Sequence, residues 1–156
     1  MTPPFVHFHF PRRLAWGAGV GAILATVLTI SLVTGAEPAS TRSIADGVYN
    51  SAQISRGQKA YENLCARCHG DELGGGEDSP PLVDDDFLNN WIGKSFGELV
   101  EYTREEMPSD GPGKVTRKQS TDITAYVFSK NDYPAGPGEL EPTLDVLNQI
   151  LITPKK

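Results

Sequence analysis

Apolar positions recur at helical spacing in three stretches of the chain. In the first, Gly57, Tyr61, Leu64, Cys65 and Cys68 fall on one face. Ser55 and Gln58 form an S-x-x-Q capping box, so the pattern predicts a helix over Ser55–Cys68. Gly57 costs about 1 kcal/mol relative to alanine inside a helix, which points to close passage of another helix there. In the second stretch Ser95 and Glu98 make a capping box, and Phe96, Leu99, Val100 and Thr103 line one face. Met107 precedes Pro108, and a residue before proline is pushed out of helical geometry. The helix from Phe96 to Glu106 should therefore end at Met107. In the third, Thr116 and Gln119 cap a helix with Ile123, Tyr126 and Val127 on its core face, ended by Asn131–Pro134. Phe87 and Trp91, four apart, mark one short helical turn. Leu140, Leu144, Leu147 and Ile150–Leu151 predict a tail packed on the surface of the core. No strand pattern and no internal repeat is present. The expected fold is all-α, with three main helices, short helical turns and long loops.

The first 36 residues do not fit this pattern. Arg12 and Arg13 precede an uncharged run from Leu14 to Ala36, and Thr34–Gly35–Ala36 offers small residues before Glu37. This is the pattern of an export signal. The run is also long enough to serve as an uncleaved membrane anchor, which needs about 20 residues. Either way the positive end stays in the cytoplasm and the rest is exported, to a periplasmic location. The expected organisation is a signal peptide or anchor over residues 1–36, a polar linker over 37–45, one domain over 46–152 and a tail over 153–156.

Charge narrows the function classes. Of 20 acids and 14 bases in 156 residues, the leader takes two bases and no acid, leaving 12 bases against 20 acids. So acidic a domain is repelled by nucleic-acid phosphates, and no nucleic-acid partner is expected. Seven of the acids (Asp71, Glu72, Glu77, Asp78, Asp84, Asp85 and Asp86) fall in the Gly- and Pro-rich stretch 70–86, which reads as a loop. They form either a solvated face or a docking surface for a basic redox partner. Sixteen Gly and twelve Pro argue for a loop-rich fold. A domain this small needs a cofactor, metal or staple to complete its core.

The scarce residues say which. Residues 37–156 contain two Cys, one His and one Met: Cys65, Cys68, His69 and Met107. Three of them form the run Cys65-Ala66-Arg67-Cys68-His69, the C-x-x-C-H signature of covalent c-type haem. Thiols three apart on a helix face one side, where each can form a thioether with a haem vinyl group, and His69 follows as iron ligand. A thioredoxin-like redox pair would need a βαβ context, and no strand precedes Ser55. A structural zinc site needs four ligands where this segment offers three. A plain disulfide would close a tiny ring and leave His69 unexplained. For the second axial position Met107 is the only thioether and sits at a helix end, while Lys, Tyr and water are the alternatives. With both Cys and the one His committed to the haem, no catalytic set remains, and the domain is not expected to be an enzyme by itself.

These motifs resemble the class I, single-haem cytochromes c. The resemblance covers about residues 46–152. It rests on Gly57…Tyr61…Cys65–Gly70, Pro80-Pro81-Leu82, Glu106-Met107-Pro108 and Thr124-Ala125-Tyr126-Val127. It implies the small cytochrome c fold around one covalent haem, with His69 and Met107 as iron ligands and Met107 raising the potential. It further implies that Gly57 and Tyr61 contact the C-terminal helix near Tyr126, and that the Pro81 carbonyl accepts a hydrogen bond from the His69 ring. The chain is also similar to the cytochrome domains that accompany quinoprotein (PQQ-dependent) dehydrogenases, through Asp46-Gly47-Val48-Tyr49, Phe87…Trp91 and Asn131–Gly136, although Asp132-Tyr133 departs from the expected Gly-Phe. The implied function is electron carriage from a periplasmic dehydrogenase, such as a PQQ-dependent one, to the respiratory chain, with a terminal oxidase or another cytochrome as acceptor. The alternatives are a cytochrome subunit within a dehydrogenase complex and a haem-based sensor.

Overall fold

The computed structural model describes residues 41–77 and 79–156. The predicted export leader lies outside the described residues, as do His7, His9, the first part of the expected linker and Asp78. Among the described residues no helix is long and apolar enough to cross a membrane. The elements run β1 (Arg42–Ser43), a 3₁₀ turn at Ile44–Asp46, α1 (Ser51–Leu64), α2 (Ala66–His69), α3 (Asp84–Trp91), α4 (Phe96–Glu106), α5 (Arg117–Lys130), α6 (Leu144–Leu147) and β2 (Ile150–Leu151). The fold is all-α apart from the two-residue strands.

The second and third capping boxes form as expected. The Ser95 side chain accepts from the Glu98 N–H at 3.1 Å, and the Thr116 side chain accepts from the Gln119 N–H at 3.3 Å. The first is displaced. Helix α1 begins four residues earlier than predicted, capped by Asn50, whose side chain accepts from the Gln53 N–H at 2.9 Å. Ser55 is inside the helix, and its hydroxyl donates to the Ser51 carbonyl. Asn50–Gln53 prevails because Gln53 has tertiary partners. It is 1% exposed, accepts from the Leu140 N–H at 2.7 Å, and donates to the Leu140 carbonyl at 3.0 Å. The helix also stops sooner. Cys65, at φ −122°, interrupts it, and α2 restarts with the Cys68 and His69 N–H groups both donating to the Cys65 carbonyl.

Helices α1 and α5 cross at Gly57. A Cβ there would lie 1.8 Å from the Asp122 carbonyl oxygen and 2.9 Å from Tyr126 Cβ. The missing side chain thus lets the two backbones touch, and one turn on, the Tyr61 and Tyr126 rings meet at 5.5 Å. Arg56 secures the crossing from outside. Its Nε donates to Asp122 Oδ2 at 2.8 Å, and an Nη donates to Glu139 at 2.7 Å. Helix α4 joins α5 through the Ser120 hydroxyl, which donates to the Val100 carbonyl at 2.6 Å. Phe128 of α5 centres an aromatic cluster with Phe87, Phe96 and Tyr133, at centroid distances of 6.0, 5.8 and 5.1 Å.

The tail is core rather than covering. Leu147, Ile150 and Ile152 are fully buried, and Leu140 nearly so. The reason is backbone pairing that spacing alone does not reveal. β2 lies parallel to β1, with Arg42 opposite Ile150 and Ser43 opposite Leu151. The Gly93 N–H donates to the Ile152 carbonyl, and the Ile152 N–H to the Lys94 carbonyl. The tail is therefore threaded between the start of the domain and the α3–α4 turn. Ile44 and Ala45, at the end of the segment read as linker, are buried with it.

Candidate functional site

Two of the expected residues are fixed by the turn after α1. Cys65 is half-buried and Cys68 exposed, and both are free thiols. Burial, with the neighbouring Cys68 thiol, pushes the Cys65 thiol up to about 11, so it stays protonated at neutral pH. His69 is 9% exposed. Its Nδ1 lies 2.9 Å from the Pro80 carbonyl oxygen. A carbonyl can only accept, so Nδ1 carries the proton and Nε2 keeps its lone pair. That is the tautomer a metal-ligating imidazole requires, and the carbonyl also fixes the orientation of the ring.

This bond corrects the sequence reading, which assigned the acceptor to Pro81. Successive carbonyls of an extended Pro-Pro step point in different directions, so only one of them can face the ring, and it is Pro80. Pro81 instead lines the cavity described below. The segment carrying both prolines is pinned along its length. The Tyr61 hydroxyl donates to the Gly70 carbonyl at 2.6 Å, the Gly75 N–H to the His69 carbonyl at 2.9 Å, and the Leu82 N–H to the Leu73 carbonyl at 2.8 Å. Gly75, at φ +82°, sits so close that a Cβ would fall 2.7 Å from the Ser79 carbonyl oxygen. At the far end Asn131, which caps the C-terminus of α5, holds the strap, donating to the Leu82 carbonyl and accepting from the Asp84 N–H that opens α3.

Met107 closes α4 where Pro108 forces it to, in extended geometry, with its N–H on the Thr103 carbonyl at 3.2 Å. Cys65, Cys68, His69, Pro81 and Met107 all line one cavity of about 640 Å³. The rest of its wall includes Leu64, Phe87, Trp91, Leu99, Ile123 and Val127. Size and lining suit a cofactor site. Two free thiols, an imidazole with its Nδ1 committed and a thioether on one largely apolar wall fit a haem. Among the described residues no group of three or more His, Cys, Asp or Glu could hold a metal ion by itself.

Of two further cavity residues, Tyr102 was not anticipated, and Lys94 was expected only as one lysine that could replace Met107 at the iron. Tyr102, 46% exposed, meets Trp91 at a tilt of 58° with ring centroids 5.5 Å apart, and Lys94 Nζ lies 4.5 Å over the same indole. The signal for Tyr102 was present in the helical face Leu99–Tyr102–Thr103. Lys94 depends on the tight α3–α4 turn, which periodicity does not describe. The acidic residues Asp71, Glu72, Glu77 and Asp84–Asp86 are exposed as expected, but the last three form the first turn of α3 rather than loop, where carboxylates complement the helix dipole.

Comparison with known proteins finds similarity over part of the chain. Residues 52–127 match the family described as cytochrome C oxidase, cbb3-type, subunit III. The chain is 32% identical over 100 residues to the Cbb3-type cytochrome c oxidase subunit FixP of Sinorhizobium medicae (strain WSM419), covering 56% of this chain and 34% of that protein. It is 29% identical over 98 residues to a thiosulfate dehydrogenase of Stutzerimonas stutzeri (strain A1501), covering 59% of this chain and 32% of that one. It thus spans about a third of the length of these relatives. Among solved structures, the sulfane dehydrogenase SoxCD of Paracoccus pantotrophus aligns with a TM-score of 0.48 and 19% identity, over 78% of this chain and 68% of that one.

Proposed function

We propose that residues 52–127 form a class I c-type cytochrome domain with haem c as its cofactor, and that the chain is an exported one-electron carrier, not an enzyme by itself. The observation that carries the reading is the shared cavity wall: both thiols, the His69 imidazole in its ligating tautomer and the Met107 thioether. Bound there, the haem supplies one-electron exchange at its iron. Cys65 and Cys68 would hold it through thioethers. His69 Nε2 and the Met107 sulfur would bind its iron. The Pro80 carbonyl keeps the imidazole in one orientation, and Leu64, Phe87, Leu99 and Val127 keep water away. A neutral thioether favours the reduced metal and sets a high potential. No proton is moved by any of these groups, which suits a carrier.

The carrier passes electrons between a periplasmic dehydrogenase, such as a PQQ-dependent one, and the respiratory chain, through a terminal oxidase or another cytochrome. The names of the relatives, one an oxidase subunit and one a dehydrogenase, support a place between these two kinds of partner. The leader over residues 1–36 delivers the domain to the periplasm, as signal peptide or tether.

The test is the matured, exported protein. Acid–acetone should leave its colour on the polypeptide, and extraction of free haem would refute covalent attachment through Cys65 and Cys68. The reduced protein should resist carbon monoxide. Ready binding would show an open axial position and favour the sensor.

A further inference from the structure

The segment after Met107 closes one side of the cavity, with Met107, Pro108, Ser109 and Asp110 on the wall. Its tip is weakly held. The Gly111 N–H donates to the Pro108 carbonyl at 2.9 Å, a turn internal to the segment. The chain is next anchored at Val115, which is 3% exposed. Among the described residues, one hydrogen bond or ion pair alone joins residues 108–114 to the rest of the protein: the Arg67 guanidinium donates to the Asp110 carboxylate. Arg67 sits between the two cysteines, on the helix that carries His69. This pair therefore spans from the thioether side of the cavity to the Met107 side.

We propose that Arg67 and Asp110 form a clasp that positions Met107 on the iron, so that the pair sets how often the methionine side opens and how fast an outside ligand enters. The proposal rests on the reading of Met107 as axial ligand. Both side chains are largely exposed, 75% and 57%. Such a pair contributes little in water. A light latch is the expected consequence. It biases the loop toward closure without fixing it, and added salt should loosen it.

The test measures imidazole binding to the oxidised holoprotein by stopped flow, with Met107 ligation followed by its sulfur-to-iron charge-transfer band. Neutral imidazole removes the attraction or repulsion a charged ligand would feel. Asp110→Asn and Arg67→Gln change the net charge in opposite directions, so a simple field effect would move them apart. The clasp requires both to bind imidazole faster than wild type, by about 1.5- to 5-fold. The swapped double variant Arg67→Asp/Asp110→Arg should return toward the wild-type rate. High salt should accelerate wild type and leave the single variants unchanged. Single variants that bind at the wild-type rate, or a swap as fast as the singles, overturn the clasp while Met107 ligation stands. A wild-type protein lacking the band, and binding imidazole as fast as Met107→Ala, overturns both.

Discussion

Replacing Gly57 with alanine sets two known effects against each other. By helix propensity alone the change should stabilise α1 by about 1 kcal/mol. The crossing says otherwise. The new Cβ would sit 1.8 Å from the Asp122 carbonyl oxygen and 2.5 Å from its carbon. Neither atom can swing aside, because both are backbone in the middle of α5. The helices must part by more than an ångström, and the Tyr61–Tyr126 contact and the Arg56–Asp122 pair must follow. Overpacking of this kind costs 1–3 kcal/mol, and a backbone obstacle places it at the top of that range, about 3 kcal/mol. The net loss is about 2 kcal/mol after the propensity gain. Guanidinium denaturation of the holoprotein, read by far-ultraviolet circular dichroism, should show it as a lower midpoint at unchanged slope. Gly138→Ala is the control. Nothing lies within 4 Å of a Cβ there and the backbone is not left-handed, so the change should be neutral or stabilise by up to about 1 kcal/mol. A Gly57→Ala protein as stable as wild type would falsify the account of the crossing.

The other expectations are narrower. Met107→Ala should keep the haem, open its axial position to carbon monoxide and lower the potential, as checked by redox titration; an unchanged potential would make Met107 ordinary packing. Asp122→Ala strips partners from Arg56, Gln53 and Lys118 at once and should cost about 2–3 kcal/mol in the same denaturation assay. Hydrogen bonds from Arg117 and then Arg104 hold the Glu101 carboxyl down at about 2, against 4.5 when unfolded. Its contribution is therefore complete above pH 4.5 and lost as pH falls toward 2, so Glu101→Gln should flatten the acid limb of a stability–pH curve over that window. If the exposed acidic residues around α3 dock a basic partner, the rate of electron exchange with it should fall as ionic strength rises, and a flat profile would leave them a solvated face.

Much of this arrangement was legible because it rests on local rules. A proline after Met107 ends α4 wherever the helix goes. Ser95–Glu98 and Thr116–Gln119 are capping boxes with no competitor nearby. The Gly57 crossing was readable because glycine in a helix is costly and needs a reason. The misreadings share one cause, in that a long-range partner decides between local options of similar worth. Ser55–Gln58 and Asn50–Gln53 are comparable boxes, and the second prevails because Gln53 bonds to Leu140, 87 positions away. Spacing gave the tail an apolar face but could not say that Ile152 would bond to Lys94, or Arg42 to Gln149. The Pro80–Pro81 choice is finer still. Both residues sit in the right segment, and only the backbone torsions decide which carbonyl meets His69.

The site is assembled from three segments that do not touch in sequence, and each is fixed by a different means. The cysteines and His69 follow from a helix broken at Cys65. The Pro80 carbonyl is delivered by a strap tied to His69 itself, to Tyr61 and to Asn131. Met107 is delivered by a helix end. The first two share hydrogen bonds, so the imidazole and its acceptor move together. Among the described residues, the third shares only the Arg67–Asp110 pair with them by hydrogen bond. The histidine side is therefore the rigid half of the site and the methionine side the adjustable half. A one-electron carrier needs its metal environment to change little between oxidation states, and in the proposed role that constancy would depend on the weaker half staying closed. Substitutions in the strap should accordingly disturb folding and haem attachment together, whereas substitutions between Pro108 and Lys114 should alter potential and ligand access while the fold persists.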